Sequence, residues 1–446
     1  MKKYILLTLS LCALLFSCKQ KEKATYYTAK DAEYLNKCAK KLTDIIVVDI
    51  FTPPVSSRIY AYSMIASYEA ARHAEKDSKS LVTQLKGFST PPSPILSGYA
   101  TVEAGKTYDF TLAAVTAFCE TARKVVFAKA EMQAFQEDLV KQISERNDDE
   151  VNQRSVAFGM AIAETMNKRI VADNYKETRG MERFEVKTGK GLWVPTLPDY
   201  ADAVEPHWFK MKTFVLDSSS QCKPIPPAAY SEDKNSPFWH ELTEVYETSK
   251  KLTEEQDNIT TFWDDNPFVS RHKGHLMFQD KKMTPGGHWL AIAQLMCKEK
   301  KTDFVTTAKT YALTAVALHE AFICCWDEKY RSARVRPETV IKDKIEKDWK
   351  PWLVTPPFPS YTSGHSTISA AAAEVLTAQF GDNIAYTDTT EKEYGLPVRS
   401  FTSFRQAANE ASISRVYGGI HFRSDCEMGN KQGKEVGKLV LEKVKL

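Results

Sequence analysis

Three short stretches of the chain carry residue types suited to a multiply charged oxyanion. Pro359–Thr367 reads PSYTSGHST, a run of turn formers that delivers Ser363, Gly364 and His365 into the alanine-rich segment STISAAAAEVLTAQF. A helix N-terminus presents unpaired backbone N–H groups and partial positive charge. A hydroxyl, a glycine that lets backbone come close and an imidazole that titrates near neutrality are the parts of an anion site. Capping of the helix by Thr362 or Ser363 explains the hydroxyls equally well. The second stretch is SRVYGGIHFRSD, in which Ser414-Arg415 precedes a Gly-Gly break and His421 is followed four residues later by Asp425. If a helix restarts there, the carboxylate lies beside the imidazole, fixes its tautomer and leaves Nε2 free as nucleophile or metal ligand. A glycine hairpin with a surface His–Asp pair is the plainer alternative. In the third stretch, His319, Phe322, Trp326 and Lys329 share one helical stripe, and Arg336-Pro337 follows seven residues after Lys329. By itself that pair of cations reads better as solvated surface charge.

Together, Lys329-x6-Arg336-Pro337, Ser363-Gly364-His365 and Ser414-Arg415-x5-His421-x3-Asp425 resemble the three-part signature shared by type-2 phosphatidic acid phosphatases and vanadium-dependent haloperoxidases. The signature runs from Lys329 to Asp425, under a quarter of the chain. The resemblance implies that Lys329, Arg336, Arg415, Ser363 and the Gly364 N–H hold the equatorial oxygens of phosphate or vanadate. It implies that His421, backed by Asp425, attacks phosphorus or ligates vanadium at one apex, and that His365 handles protons at the other. The chemistry is consistent: guanidinium forks match oxyanion edges. Pentacoordinate vanadate resembles the transition state of phosphoryl transfer, so one pocket can serve either group.

The longer form Phe358-Pro359-Ser360-Tyr361-Thr362-Ser363-Gly364-His365 is similar to haloperoxidases rather than to plain phosphatases, and Trp326 looks like their pocket tryptophan. Phe358 stands where chloroperoxidases tend to carry Phe. His319, on the same stripe as Trp326, is a candidate for the pocket or its surround. The implied activity is vanadate-dependent oxidation of halide by hydrogen peroxide to hypohalous acid, iodide or bromide ahead of chloride, with His365 taking the peroxide proton and Lys329 polarising the peroxide. Two alternatives stand beside it: a phosphatase working through a phosphohistidine at His421, and a lipoprotein that binds a ligand without catalysis.

These groups must be positioned by helices. Apolar spacings of three and four mark Arg58–Ala74, Tyr108–Ala128, Met132–Ser144, Val151–Tyr175, Phe238–Thr260, Gly287–Lys300, Asp303–Arg331, His365–Phe380, Ser400–Arg415 and a last helix from about Lys431. Strand-like alternation is scarce. The expected fold is all-α, with an N-terminal helical region over 31–300 and a catalytic region over 301–446. The Pro-rich stretch 176–237 crosses the surface or forms an active-site wall.

With 60 Lys plus Arg against 57 Asp plus Glu, the totals imply no basic face for nucleic acid. The leader MKKYILLTLSLCALLFSC resembles a lipoprotein signal, so cleavage after residue 17, lipidation at Cys18, a polar tether over 18–30 and anchorage in a bacterial envelope are expected. The seven later cysteines show no regular spacing, which argues against a disulfide framework or a zinc site. Trp263-Asp264-Asp265-Asn266-Pro267, with Arg271, His272, His275 and His288, is a candidate for the pocket mouth. The three histidines read better as surface and core residues than as metal ligands, because no carboxylate pair stands at ligand spacing.

Overall fold

The computed structural model describes residues 27–88, 100–266, 270–273, 276–279 and 282–446. The leader, Cys18 and His275 lie outside the described residues, and the expected tether ends in the first helix. In chain order the α-helices are α1 (Ala29–Asp49), α2 (Pro53–Ala71), α3 (Phe110–Ala122), α4 (Lys129–Ser144), α5 (Asp149–Val171), α6 (Tyr175–Arg179), α7 (Pro237–Lys250), α8 (Glu254–Phe262), α9 (Pro285–Lys300), α10 (Phe304–Ser332), α11 (Pro337–Lys344), α12 (Gly364–Phe380), α13 (Phe404–Tyr417) and α14 (Arg423–Lys443). Two short antiparallel hairpins, Ser270–Lys273 with Leu276–Gln279 and Tyr386–Asp388 with Arg399–Phe401, complete the regular structure among the described residues. The fold is all-α, as the periodicity predicts.

Helix α10 is the axis of the molecule. Its apolar residues face all round, so it is buried along nearly its whole length. It packs against α1 and α2 on one side and against α12 and α14 on the other. One continuous apolar core therefore runs from Leu35 to Val444 across the expected boundary at residue 300. A smaller cluster around Phe238, Leu242, Val340, Trp349 and Phe422 sits outside it.

Helix limits follow their caps. Thr52 accepts from the Val55 N–H ahead of Pro53, so α2 starts earlier than its apolar stripe suggests. The expected helix over Phe238–Thr260 is two helices, because Thr253 and Gln256 form a capping box that starts α8 anew. The last helix starts at Arg423 rather than near Lys431, and α1 and α11 were not foreseen by periodicity.

Helices α12 and α14 approach closely along a stripe of three glycines. A Cβ at Gly433 would stand 2.0 Å from the Thr367 carbonyl oxygen, and at Gly437 it would stand 2.8 Å from that of Ala371. Only glycine permits that contact. At the upper end of the pair, the Ser363 N–H donates to the Asp425 carbonyl at 2.9 Å. The starts of α12 and α14 are thus fixed against each other, and with them His365 and His421.

Candidate active site

Lys329 sits in the last turn of α10, which Ala333 ends in a left-handed conformation at φ 46°. The chain then runs extended through Arg334 to Arg336 before Pro337 starts α11. This linker is clamped from both sides: Val335 N–H donates to Gly191 O at 2.9 Å and Ser360 N–H to Arg334 O at 3.0 Å. Arg336 is consequently fully buried. Its Nε donates to Phe358 O at 2.8 Å and its Nη1 to Ile420 O at 2.7 Å, while Nη1 also lies 3.1 Å from His421 Nε2. The buried Nη2 has no partner. Lys329 Nζ donates to the carbonyls of Pro359 and Ser360 at 2.9 and 3.1 Å. Burial pushes its pKa down to about 7 and that of Arg336 down to about 10.

At the start of α14 the restart of the helix does set carboxylate beside imidazole. His421 Nδ1 lies 3.0 Å from Asp425 Oδ2. The same oxygen accepts the Phe422 N–H at 3.0 Å and a short hydrogen bond from the Ser360 hydroxyl, while Arg334 Nη1 holds Oδ1 at 2.6 Å. Burial favours the neutral acid, yet Arg334 and His421 hold the Asp425 pKa below the ordinary carboxylate range. Burial, reinforced by the Arg336 charge, pushes His421 well below neutrality. His421 is therefore a neutral imidazole whose Nδ1–H is committed to Asp425, which leaves Nε2 unprotonated at the pocket, with Arg336 Nη1 3.1 Å away as its donor.

At the third corner, Ser363 caps α12, its hydroxyl accepting the Ser366 N–H at 3.3 Å. That hydroxyl caps the helix as an acceptor, which leaves its O–H able to donate. Gly364 and His365 then line the pocket. His365 Nε2 lies 3.5 Å from Arg415 Nη1 and 3.7 Å from Asp265 Oδ2. Burial and the Arg415 charge hold His365 well below its usual pKa, so the ring is a neutral base. Arg415, buried at the end of α13, donates to Ser414 Oγ at 3.0 Å and to Trp263 O at 2.6 Å.

The pocket onto which Gly364, His365, Arg415 and His421 open has a volume of about 40 Å³, room for a few waters or one small oxyanion. Its apolar lining is Pro53, Pro285, Phe322, Trp326, Phe358 and Ile420, and Asp264, Asp265 and Asn266 also line it. The Pro-rich stretch 176–237 supports that wall. Its Val204 carbonyl accepts Trp326 Nε1 at 3.2 Å, and its Val204 N–H donates to Pro357 O at 3.0 Å.

Most of the expected site residues converge. His319 does not. The stripe it shares with Trp326 continues past the pocket, and His319, one turn beyond Phe322 and two beyond Trp326, is packed against Trp208 and Phe214 with Nδ1 3.4 Å from Ser57 Oγ. It is a core histidine, its pKa pushed down to about 3 by burial. His288 is also a core residue, and His272 lies on the Ser270–Lys273 strand. All seven described cysteines are buried and free. Motif reading missed Arg334, Ser360 and Asp388. Arg334, two residues before Arg336, was the most accessible of these, since a buried His–Asp pair needs a cation on the carboxylate's second oxygen.

Comparison with known proteins agrees with this geometry. Residues 309–446 match the family model of the VCPO second helical-bundle domain. A bacterial vanadium-dependent iodoperoxidase of known structure shares 43% identity, with a TM-score of 0.86 over 95% of this chain and 99% of that one. Bacterial vanadium-dependent chloroperoxidase matches at 16% identity. Its holo form has a TM-score of 0.64 over 89% of this chain and 93% of its own, and its apo form 0.66 over 87% and 92%; at that identity the likeness is one of fold. No curated protein sequence matches significantly. The chain belongs to the vanadium-dependent haloperoxidase family.

Vanadate is the cofactor that this membership implies, and the residues fit it. Three cations are buried at or just behind one small cavity, burial lowers the pKa of all three, and the Arg336 Nη2 nitrogen has no partner. An oxyanion would supply what each lacks.

Proposed function

We propose that the protein oxidises iodide with hydrogen peroxide, consuming one proton and yielding hypoiodous acid and water, with vanadate held at His421. The observation that carries this is the neutral His421, which lines a pocket of oxyanion size together with Arg415, while Arg336 stands 3.1 Å from its Nε2 and both Arg336 and Lys329 are buried against the pocket's Phe358 ring. Lys329, Arg336, Arg415 and the Gly364 N–H would hold the oxyanion, and His421 Nε2 would ligate the vanadium. Bound there, vanadate activates peroxide for two-electron oxidation of the halide. His365, neutral and lining the same pocket, accepts the peroxide proton and returns it to the leaving oxygen. The Asp425–Arg334 pair keeps His421 in the tautomer that leaves Nε2 free.

The choice of iodide rests on the wall and on the relative of known structure, an iodoperoxidase at 43% identity. Phe322, Trp326, Phe358 and Ile420 offer a halide no hydrogen bonds to replace its water. Iodide is the most weakly hydrated of the halides that such an enzyme takes, so it loses least on entering. Steady-state rates with iodide, bromide and chloride, in protein reconstituted with orthovanadate, test this. Iodide should give the highest kcat/KM. A preference for chloride would contradict the assignment. Hydrolysis of p-nitrophenyl phosphate without halide oxidation would put the phosphatase chemistry in its place.

We further propose that Cys18 is lipidated and anchors the enzyme in a bacterial envelope, a reading supported by the leader sequence alone. Full-length protein should partition with membranes, and C18S should release it to the soluble fraction; equal partitioning of the two would refute the anchor.

A further inference from the structure

A buried chain of hydrogen-bonding groups leads from the core to His365. Asp388, the last residue of the Tyr386–Asp388 strand, is fixed at Oδ1 by the Thr390 N–H at 2.9 Å and the Thr390 hydroxyl at 2.7 Å. Its Oδ2 lies 3.1 Å from His288 Nε2, and His288 Nδ1 lies 3.1 Å from Asp265 Oδ1. The other oxygen of Asp265 is buried, has no hydrogen-bond partner and faces His365 Nε2 at 3.7 Å. Stacking with Trp263, centroids 4.7 Å apart, sets the plane of the His288 ring. The Trp263 carbonyl in turn takes Arg415 Nη2.

Glu391 Oε1 stands 3.6 Å from His288 Nδ1, so His288, Asp265 and Glu391 have the composition of a metal site. The hydrogen bonds argue otherwise. Both ring nitrogens face a carboxylate oxygen at hydrogen-bond distance, so both donate, and the ring has no lone pair left for a cation. The charges of Asp265 and Asp388 outweigh burial and raise the His288 pKa well above its usual value. Burial pushes Glu391 up to about 8, which leaves it a neutral acid beside the pair.

We propose that His288 and Asp388 are positioning residues for His365: they grip one oxygen of Asp265 and hold the other turned towards the His365 ring, where it receives the N–H formed when His365 takes up a proton. Without the grip, a carboxylate buried beside His365 has no fixed direction. It can turn to Arg415, the other charge within reach, and leave the His365 imidazolium without an acceptor. The inference rests on the haloperoxidase reading of the site and concerns the fate of the proton, not the binding of the oxyanion.

The test is a double-mutant cycle on vanadate-reconstituted protein, with kcat for iodide oxidation, iodide KM and vanadate affinity measured for wild type, H288Q, H365A and the double variant. The wild type must first show vanadate-dependent turnover; if it does not, the haloperoxidase reading fails and this inference with it. H288Q should lower kcat at least about tenfold with KM and vanadate affinity within about twofold, and it should have little further effect once His365 is gone. A loss of the same factor in both backgrounds, or a folded H288Q with wild-type kcat, would overturn the proposal. Should H288Q fail to fold, D388N and T390V, which loosen the same grip from its far end, carry the same cycle with the same criteria.

Discussion

Two side chains in the pocket differ in what they should do to the kinetics. His365 stands beside Arg415, 3.5 Å from its Nη1, but is neutral and brings no charge of its own to the oxyanion, so H365A should keep most of the vanadate binding and lose about 10²- to 10⁴-fold in kcat. Lys329 should control binding instead. Its pKa of about 7 in the ligand-free pocket reflects burial, and an anion beside it favours the charged form. Above pH 7 the lysine is neutral before binding and must take up a proton to hold the oxyanion. Vanadate affinity should therefore weaken as pH rises above 7, by up to about tenfold per unit, since one unit corresponds to about 1.4 kcal/mol. In K329M this component should vanish, which a series of vanadate titrations across pH 6–9 in both proteins would show. At this scale the sequence was largely legible. Lys329, Arg336, His365, Arg415, His421 and Asp425 are each irreplaceable in type and stand at fixed spacing. What it could not show were partners that any polar residue might have supplied, such as Arg334 and Ser360, or depth along a helix. His319 has the same stripe as Trp326 but lies two turns deeper, and periodicity fixes the face of a residue without fixing its distance from a pocket.

The element that most strictly sets the site is the α12–α14 pair. Because a Cβ at Gly433 would collide with the Thr367 carbonyl, G433A should force the two helices apart. The cost should be roughly 1–3 kcal/mol of stability, with vanadate binding weakened as the Ser363–Asp425 contact opens. Denaturant midpoints and vanadate titrations check both. Unchanged values would mean that the helices can separate without disturbing the site. The glycines at 429, 433 and 437 were visible in the sequence as a four-residue repeat, but their meaning depends on which helix lies opposite. Helix existence was read correctly where periodicity was long. Boundaries were missed where capping residues decide them, at Thr52 and Thr253. Helix α1 fell inside the expected helical region but was not singled out, because charged and polar residues interrupt its apolar stripe.

Over the whole molecule, the buried cations make the ligand-free protein one with unfinished electrostatics. Vanadate should stabilise it by mass action, about 2.7 kcal/mol at 100 times its Kd, and raise Tm in calorimetry, while R336M should gain much less from the same addition. No shift in the wild type would mean that the fold tolerates its cations without an anion. The core that runs through α10 joins the two packed halves read in the sequence on either side of residue 300. The Pro-rich stretch 176–237, irregular in pattern, is nonetheless ordered by Val204, Glu320 and Tyr361, which tie it to α10 and to the pocket loop. The most direct test of the account is iodide oxidation by hydrogen peroxide in vanadate-free protein as orthovanadate is titrated in, with H421A alongside. Activity should rise from near zero to saturation at one vanadate per chain and stay absent in H421A. Turnover independent of vanadate, or undiminished in H421A, would contradict it.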